Sequence, residues 1–243
     1  MNMKILGVIP ARYHSTRLPG KPLLKIGDKP MIQWVYEAVQ KAKLLDEILV
    51  ATDDQRIYEA VLSFGGKAEL TSPDHPTGTD RLAEVAERNP GYDLIINIQG
   101  DEPLIKGEVI DSIAQPLLDD PTLAMSTAKV LLTDEAQIRE PSVVKVVTNE
   151  QGDALYFSRS VIPYPRNQEK AVYWKHIGLY GYRREFLLNY IKLPQTTLEL
   201  SESLEQLRAL GHGYRIRVVE VKADSVGVDT PEDLERVRKI LGY

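Results

Sequence analysis

Between Pro10 and Lys21 the chain reads Pro-Ala-Arg-Tyr-His-Ser-Thr-Arg-Leu-Pro-Gly-Lys, so Arg12, Arg17 and Lys21 share one short segment with the hydroxyls of Ser15 and Thr16. Guanidinium, ammonium and hydroxyl donors at this density, together with backbone amides, suit a polyphosphate. Each charge-assisted hydrogen bond of that kind contributes roughly 1.5–3 kcal/mol. Any one of these cations, taken singly, reads equally well as part of a solvated surface loop; the set together points to an anion. The usual phosphate-binding patterns are missing, since the chain has no G-x-x-x-x-G-K-[ST] and no G-x-G-x-x-G after a strand. Side-chain cations would then carry much of the phosphate binding. Far along the chain, Asp101 in Gln-Gly-Asp-Glu-Pro and Asp229 in Val-Asp-Thr-Pro are carboxylates at the ends of predicted elements. Magnesium takes one or two protein carboxylates and fills its other positions with phosphate oxygens and water, so two aspartates would suffice. Capping a helix is the competing reading of each. Asp53 and Asp54 read instead as an N-cap and a helix-dipole acid.

These residues need elements to position them. Lys4–Ile9 reads as a buried strand that ends at Pro10, which puts the basic segment just beyond its carboxyl end. Pro30 opens a predicted helix with Ile32, Val35, Tyr36 and Val39 on one face. Glu47–Ala51, Lys67–Leu70 and Asp93–Ile98 read as further strands, with a helix over Thr77–Arg88. Alternating strands and helices of this kind predict a mainly parallel sheet with helices on both faces, and ligands there bind beyond the carboxyl ends of the strands. After about Pro121 the pattern changes. Leu123–Val130, Val143–Thr148 and Ala154–Ser158 are strand-like, Asn149–Asp153 has turn chemistry, and the proline-rich Ile162–Arg166 excludes a central strand. Trp174–Tyr182 and Arg215–Val221 read as strands and Glu202–Leu210 as a helix. A last helix has Thr230 as N-cap, Pro231 at its first position and Leu234, Val237 and Leu241 on its apolar side. One domain over 1–243, with an inserted β-rich arm, is the simplest organisation.

Composition removes several function classes. The 243 residues carry a net charge of −5, so no bulk positive field would attract nucleic acid or an anionic membrane. There are no cysteines, which excludes disulfides, thiolate zinc sites and cysteine nucleophiles, and fits a reducing compartment. His14, His75, His176 and His212 are scattered without H-x-H or H-E-x-x-H spacing, which argues against catalytic zinc. The apolar run in MNMKILGVIPAR is too short for a signal segment, and no apolar stretch approaches the ~20 residues of a membrane span.

Ile9–Leu23, read as IPARYHSTRLPGKPL, resembles the signature loop of the cytidylyltransferases that activate acidic sugars, and within them the 3-deoxy-manno-octulosonate cytidylyltransferase family. The similarity continues through ATDD (51–54), PTGTDR (76–81), NIQGDEP (97–103), YFSRSVIPYPR (156–166), KHIGLYGYR (175–183), LEQLR (204–208) and GVDTPEDLE (227–235). It spans essentially the whole chain in order. The resemblance implies an α/β fold of nucleotide-diphospho-sugar transferase type, with a Rossmann-like, mainly parallel mixed sheet. It also implies an inserted dimerisation arm at about 122–173, and hence a homodimer. The implied reaction is magnesium-dependent: CMP passes from CTP to the eight-carbon acidic ketose 3-deoxy-manno-octulosonate. The implied setting is the cytoplasm, supplying lipopolysaccharide or in some cases capsule.

By the same resemblance Asp101 and Asp229 match the magnesium ligands. Arg12 and Lys21 would hold the phosphates and neutralise the leaving pyrophosphate, with Ser15, Thr16 and Arg17 completing the cradle. Pro10, Ala11, Ser72, Gly78 and Arg81 would lie against cytosine, although Ser72 and Gly78 alone read as turn residues. Gln99, Arg159, His176, Tyr180, Glu205 and Gln206 would bind the sugar. Without the resemblance Tyr180 reads as a core strand aromatic, and Glu205 and Gln206 as a solvated helix face. No residue identifies itself as a general base. Leu198–Ser203, LELSES, is more polar than the family's usual stretch, which leaves a close analogue such as an 8-amino sugar open. Two rivals remain: transfer to a phosphorylated acceptor, and a non-catalytic nucleotide-binding regulator with the same fold.

Overall fold

The structure, a computed structural model, describes residues 3–14, 18–222 and 226–243. β1 (Ile5–Ala11) is buried on both faces, as its unbroken apolar run requires. A small hairpin of β2 (Lys25–Ile26) and β3 (Lys29–Pro30) leads into α1 (Met31–Val39), whose predicted face of Ile32, Val35, Tyr36 and Val39 is buried. β4 (Glu47–Thr52) is followed by α2 (Gln55–Ser63), capped by Asp54, whose side chain accepts from the Arg56 amide. β5 (Ala68–Leu70) precedes α3 (Gly78–Arg88), which Thr77 and Asp80 open with a reciprocal capping box. Next come β6 (Leu94–Asn97), α4 (Gly107–Asp119), β7 (Met125–Leu132) and α5 (Glu135–Arg139). β8 (Lys145–Thr148) and β9 (Ala154–Ser158) form a hairpin, and β10 (Tyr173–Arg183) returns through the sheet. The chain closes with α6 (Arg184–Tyr190), α7 (Thr197–Glu202), α8 (Leu207–Gly211), β11 (Ile216–Glu220) and α9 (Pro231–Leu241).

The main sheet runs β11-β7-β10-β6-β1-β4-β5, with β8 and β9 attached beside β10. β10 is antiparallel to both β6 and β7, whereas the β6–β1, β1–β4, β4–β5 and β7–β11 pairings are parallel. Alternation along β1 divides the core in two. Ile5 and Ile9 pack with α1, α2 and α4, while Leu6 and Val8 pack with α3, α6 and α8. This is the expected mainly parallel mixed sheet with helices on both faces.

Three local expectations are corrected. Residues 125–132 of the segment read as an arm are an interior strand between β10 and β11, so the departure from the sheet begins after β7. Helix over Glu202–Leu210 is interrupted: α7 ends at Ser203, whose φ of 51° is left-handed, and α8 starts only at Leu207. Glu205 and Gln206 therefore sit in a tight connection, and Gln206 is buried rather than on a solvated helix face. Asp53 is not a dipole acid; it accepts from Arg81 Nη2 at 2.8 Å.

Candidate nucleotide site

The carboxyl ends of β1 and β6 lie side by side, and the parallel register that pairs Val8 with Asn97 carries Pro10–Arg12 and Gln99–Asp101 to the same edge. Gly100 makes this close approach possible, because a Cβ there would meet the Pro10 carbonyl oxygen at 2.8 Å. The basic segment folds back through Gly20, whose φ of 67° suits glycine and whose amide donates to the Tyr13 carbonyl at 2.9 Å. That turn delivers Lys21. The third component comes from 207 residues further on: Val228 is buried against Ile26, Met31 and Leu234, and its amide donates to the Asp101 carbonyl at 2.9 Å.

The result is a cleft of about 420 Å³ lined by Pro10, Ala11, Arg12, Lys21, Gly78, Gln99, Asp101 and Asp229, with His14, Pro22 and Gly100. Lys21 Nζ donates to Asp101 Oδ2 at 2.6 Å, to the Val228 carbonyl at 2.9 Å and to Asp229 Oδ1 at 3.1 Å. Neither acid caps a helix. α9 is capped by Thr230 with Asp233, and α4 starts at Gly107. Two carboxylates from distant parts of the chain thus face one cation. Among the described residues no group of three or more His, Asp or Glu side chains could hold a metal alone. The pair fits an ion that draws its remaining ligands from phosphate and water, as magnesium does.

Arg12 reaches across the cleft mouth, where Nη2 donates to the carbonyls of His75 at 2.7 Å and Thr77 at 3.1 Å. Gly78 opens α3 with no atom within 4 Å of where a Cβ would stand, so a planar group can approach the backbone there. Two residues expected at the base do not line this cleft. Arg81 is fully buried, bonded to Thr71 Oγ1 and Asp53, and Ser72 donates its amide to Glu84 Oε2 at 2.9 Å. Ser15, Thr16 and Arg17 lie outside the described residues.

The residues expected for the sugar form a second group, connected to the cleft by Gln99, whose Nε2 donates to the Gly178 carbonyl at 2.7 Å. Gly178 lies where the β10–β7 register shifts between Ile177 and Tyr180. His176 is 8% exposed, bonded through Nε2 to Thr127 Oγ1 at 3.0 Å and stacked edge-on against Phe157. Burial pushes its pKa down to about 3. Its ring lies 5.5 Å from that of Tyr180, whose phenol is pushed up by burial and by the Glu205 carboxylate. Burial raises the Glu205 carboxyl as well, against a hydrogen bond from Thr79. Arg159 turns toward the end of α7, with Nε donating to the Glu202 carbonyl at 2.8 Å and its amide to Glu202 Oε2 at 2.9 Å.

Sequence reasoning passed over the residues that hold this group in place. Lys145 is fully buried, and its ammonium donates to the carbonyls of Glu140 at 3.0 Å, Val143 at 2.6 Å and Arg159 at 2.7 Å. A lysine within a strand-like run carried no signal of that role beyond its misfit with burial. Glu202, which accepts from Ser158 Oγ at 2.6 Å as well as from Arg159, lies in the polar LELSES stretch that read only as a departure.

Comparison with known proteins decides the lineage. A profile of the family described as cytidylyltransferase matches residues 6–216. The 3-deoxy-manno-octulosonate cytidylyltransferase of Solibacter usitatus is 54% identical, over 99% of this chain and 95% of that protein. The chain belongs to the 3-deoxy-manno-octulosonate cytidylyltransferase family. The family member from Fusobacterium nucleatum is 53% identical, over 97% of this chain and 96% of its own. A solved CMP:2-keto-3-deoxy-manno-octonic acid synthetase in complex with CTP superposes with a TM-score of 0.95 at 53% identity, covering 98% of both chains.

Proposed function

We propose that this chain transfers CMP from CTP to 3-deoxy-manno-octulosonate, releasing pyrophosphate, with magnesium held at Asp101 and Asp229. The observation that carries the reading is the convergence of Lys21, Asp101 and Asp229 in the cleft that also holds Arg12. The identity to relatives bearing that activity, along nearly the whole chain, supports the choice of nucleotide and sugar.

The anomeric hydroxyl of the ketose attacks the α-phosphorus of CTP, the bond to the bridging β-phosphate oxygen breaks, and the hydroxyl proton leaves to solvent or base. Little covalent chemistry falls to the protein, so alignment and charge neutralisation dominate. Bound magnesium would neutralise phosphate charge and lower the pKa of the attacking hydroxyl. Lys21 would pass from the two carboxylates to the phosphates, and with Arg12 would offset the charge growing on pyrophosphate. The backbone at Pro10, Ala11 and Gly78 would receive cytosine, where an analogue with reversed donors and acceptors is rejected strongly. Gln99, Arg159, His176, Tyr180, Glu205 and Gln206 would bind the carboxylate and hydroxyls of the sugar.

The segment after β7 carries exposed apolar side chains, Leu155 at 62% and Tyr164 at 82%, and we assign it to a homodimer interface. Among the described residues no helix is long and apolar enough to cross a membrane. A nucleoside triphosphate substrate supports action in the cytoplasm. The test is pyrophosphate release with magnesium, all four nucleoside triphosphates and a panel of acidic ketoses including the 8-amino sugar. Release with CTP and 3-deoxy-manno-octulosonate at higher kcat/KM than any other pair is expected; a preference for another nucleotide or for a sugar phosphate refutes the assignment.

A further inference from the structure

Glu84 does not line the cleft, yet it holds the loop that leads into Gly78, which does. It lies on α3 with its side chain 17% exposed. Oε2 accepts from the Ser72 amide at 2.9 Å and from the ring Nε2 of His75. Oε1 accepts from Arg88 Nη2, and Arg88 Nη1 donates to the Leu70 carbonyl at 2.6 Å. One carboxylate therefore closes the loop between β5 and α3 back onto the helix that follows it. The same loop holds Arg12, because His75 and Thr77 supply the two carbonyls that accept from its Nη2 at 2.7 and 3.1 Å. His75 is thus fixed by Glu84 through its ring and fixes Arg12 through its backbone.

An ordinary i,i+4 pair with Arg88 would account for one of these contacts, and exposed pairs of that kind contribute little. It would not account for the bonds to Ser72 and His75, which run from helix to loop. A guanidinium binds phosphate best when its planar fork is already oriented, since ordering a long side chain on binding costs affinity.

We propose that Glu84 is a positioning residue for the nucleotide: it fixes the loop between β5 and α3 so that Arg12 is already aimed at the triphosphate when CTP enters. The inference rests on reading the cleft as the CTP site.

Calorimetric titration of CTP with magnesium into wild type, Glu84→Ala, Glu84→Gln, Arg12→Ala and the Glu84→Ala/Arg12→Ala double variant tests it, with melting temperatures taken alongside. Glu84→Ala should weaken CTP binding about tenfold and Glu84→Gln, which keeps an acceptor for Ser72, about threefold, with KM for the ketose within about twofold of wild type. Adding Glu84→Ala to Arg12→Ala should cost less than about threefold, because the residue through which Glu84 acts is already gone. A role confined to stability would lower the melting temperature and leave that coupling at zero. Folded Glu84 variants that bind CTP like wild type, or penalties that multiply in the double variant, overturn the proposal; should Glu84→Ala not fold, the threefold shift in Glu84→Gln decides. Wild type failing to bind CTP would instead refute the reading of the cleft.

Discussion

Lys21 faces Asp101 and Asp229 at hydrogen-bonding distance with 15% of its side chain exposed, so its charge acts across a partly desolvated cleft. Replacing it by alanine leaves two carboxylates facing each other and removes a cation from the leaving group. Lys21→Ala should lower kcat/KM at least about tenfold, measured by pyrophosphate release; near-normal turnover would remove Lys21 from the phosphate site. His176 gives a prediction of another kind. Its folded pKa of about 3 lies below the ordinary imidazole value of 6.5, so between these values the unfolded chain binds more protons and stability must fall as pH falls. Denaturant unfolding should show wild type losing about 2 kcal/mol more than His176→Gln between neutrality and about pH 5. Equal losses would mean that the imidazole is protonated in the folded state. At this scale Arg12, Lys21 and Asp101 were legible because cations and acids at strand ends have few structural uses. Glu84 and Lys145 were not, since each acts through backbone carbonyls and amides that a sequence does not pair.

Between elements, the site depends on how closely the ends of β1 and β6 approach, and Gly100 sets that distance. Gly100→Ala would push its methyl into the Pro10 carbonyl and swing Asp101 away from Lys21. The expected outcome is a folded protein with at least about tenfold lower kcat/KM, since the strain falls on the strand ends rather than the core. Wild-type kinetics in that variant would show that the approach of the two strands does not govern the site. Most elements were legible from hydrophobic patterning and capping residues: the face of α1, the caps of α2 and α9, and the strands β1, β4 and β6. What was not legible followed from tertiary context. β7 read as part of an arm because neighbouring turn chemistry resembled a hairpin excursion, but its pairing with β10 and β11 is non-local. The break between α7 and α8 arises at Ser203, a left-handed residue that no propensity rule places there.

For the whole molecule, the bond from the Val228 amide to the Asp101 carbonyl brings residues from both ends of the chain to one site, while β8 and β9 stand beside β10. Exposed Leu155 and Tyr164 on the segment after β7 are costly to leave in water, and a second copy would cover them. Sedimentation should give a dimer for wild type and a monomer for Leu155→Glu/Tyr164→Ser; a wild-type monomer, or an unaltered dimer in the variant, would place the interface elsewhere. The claim on which the function rests is that residues 101 and 229 share one divalent ion at the triphosphate. Magnesium titration of pyrophosphate release, run on wild type, Asp101→Asn and Asp229→Asn, tests it most directly. Wild type should saturate, and each variant should lose most of its magnesium-dependent activity. Variants that titrate with magnesium as wild type does would contradict it.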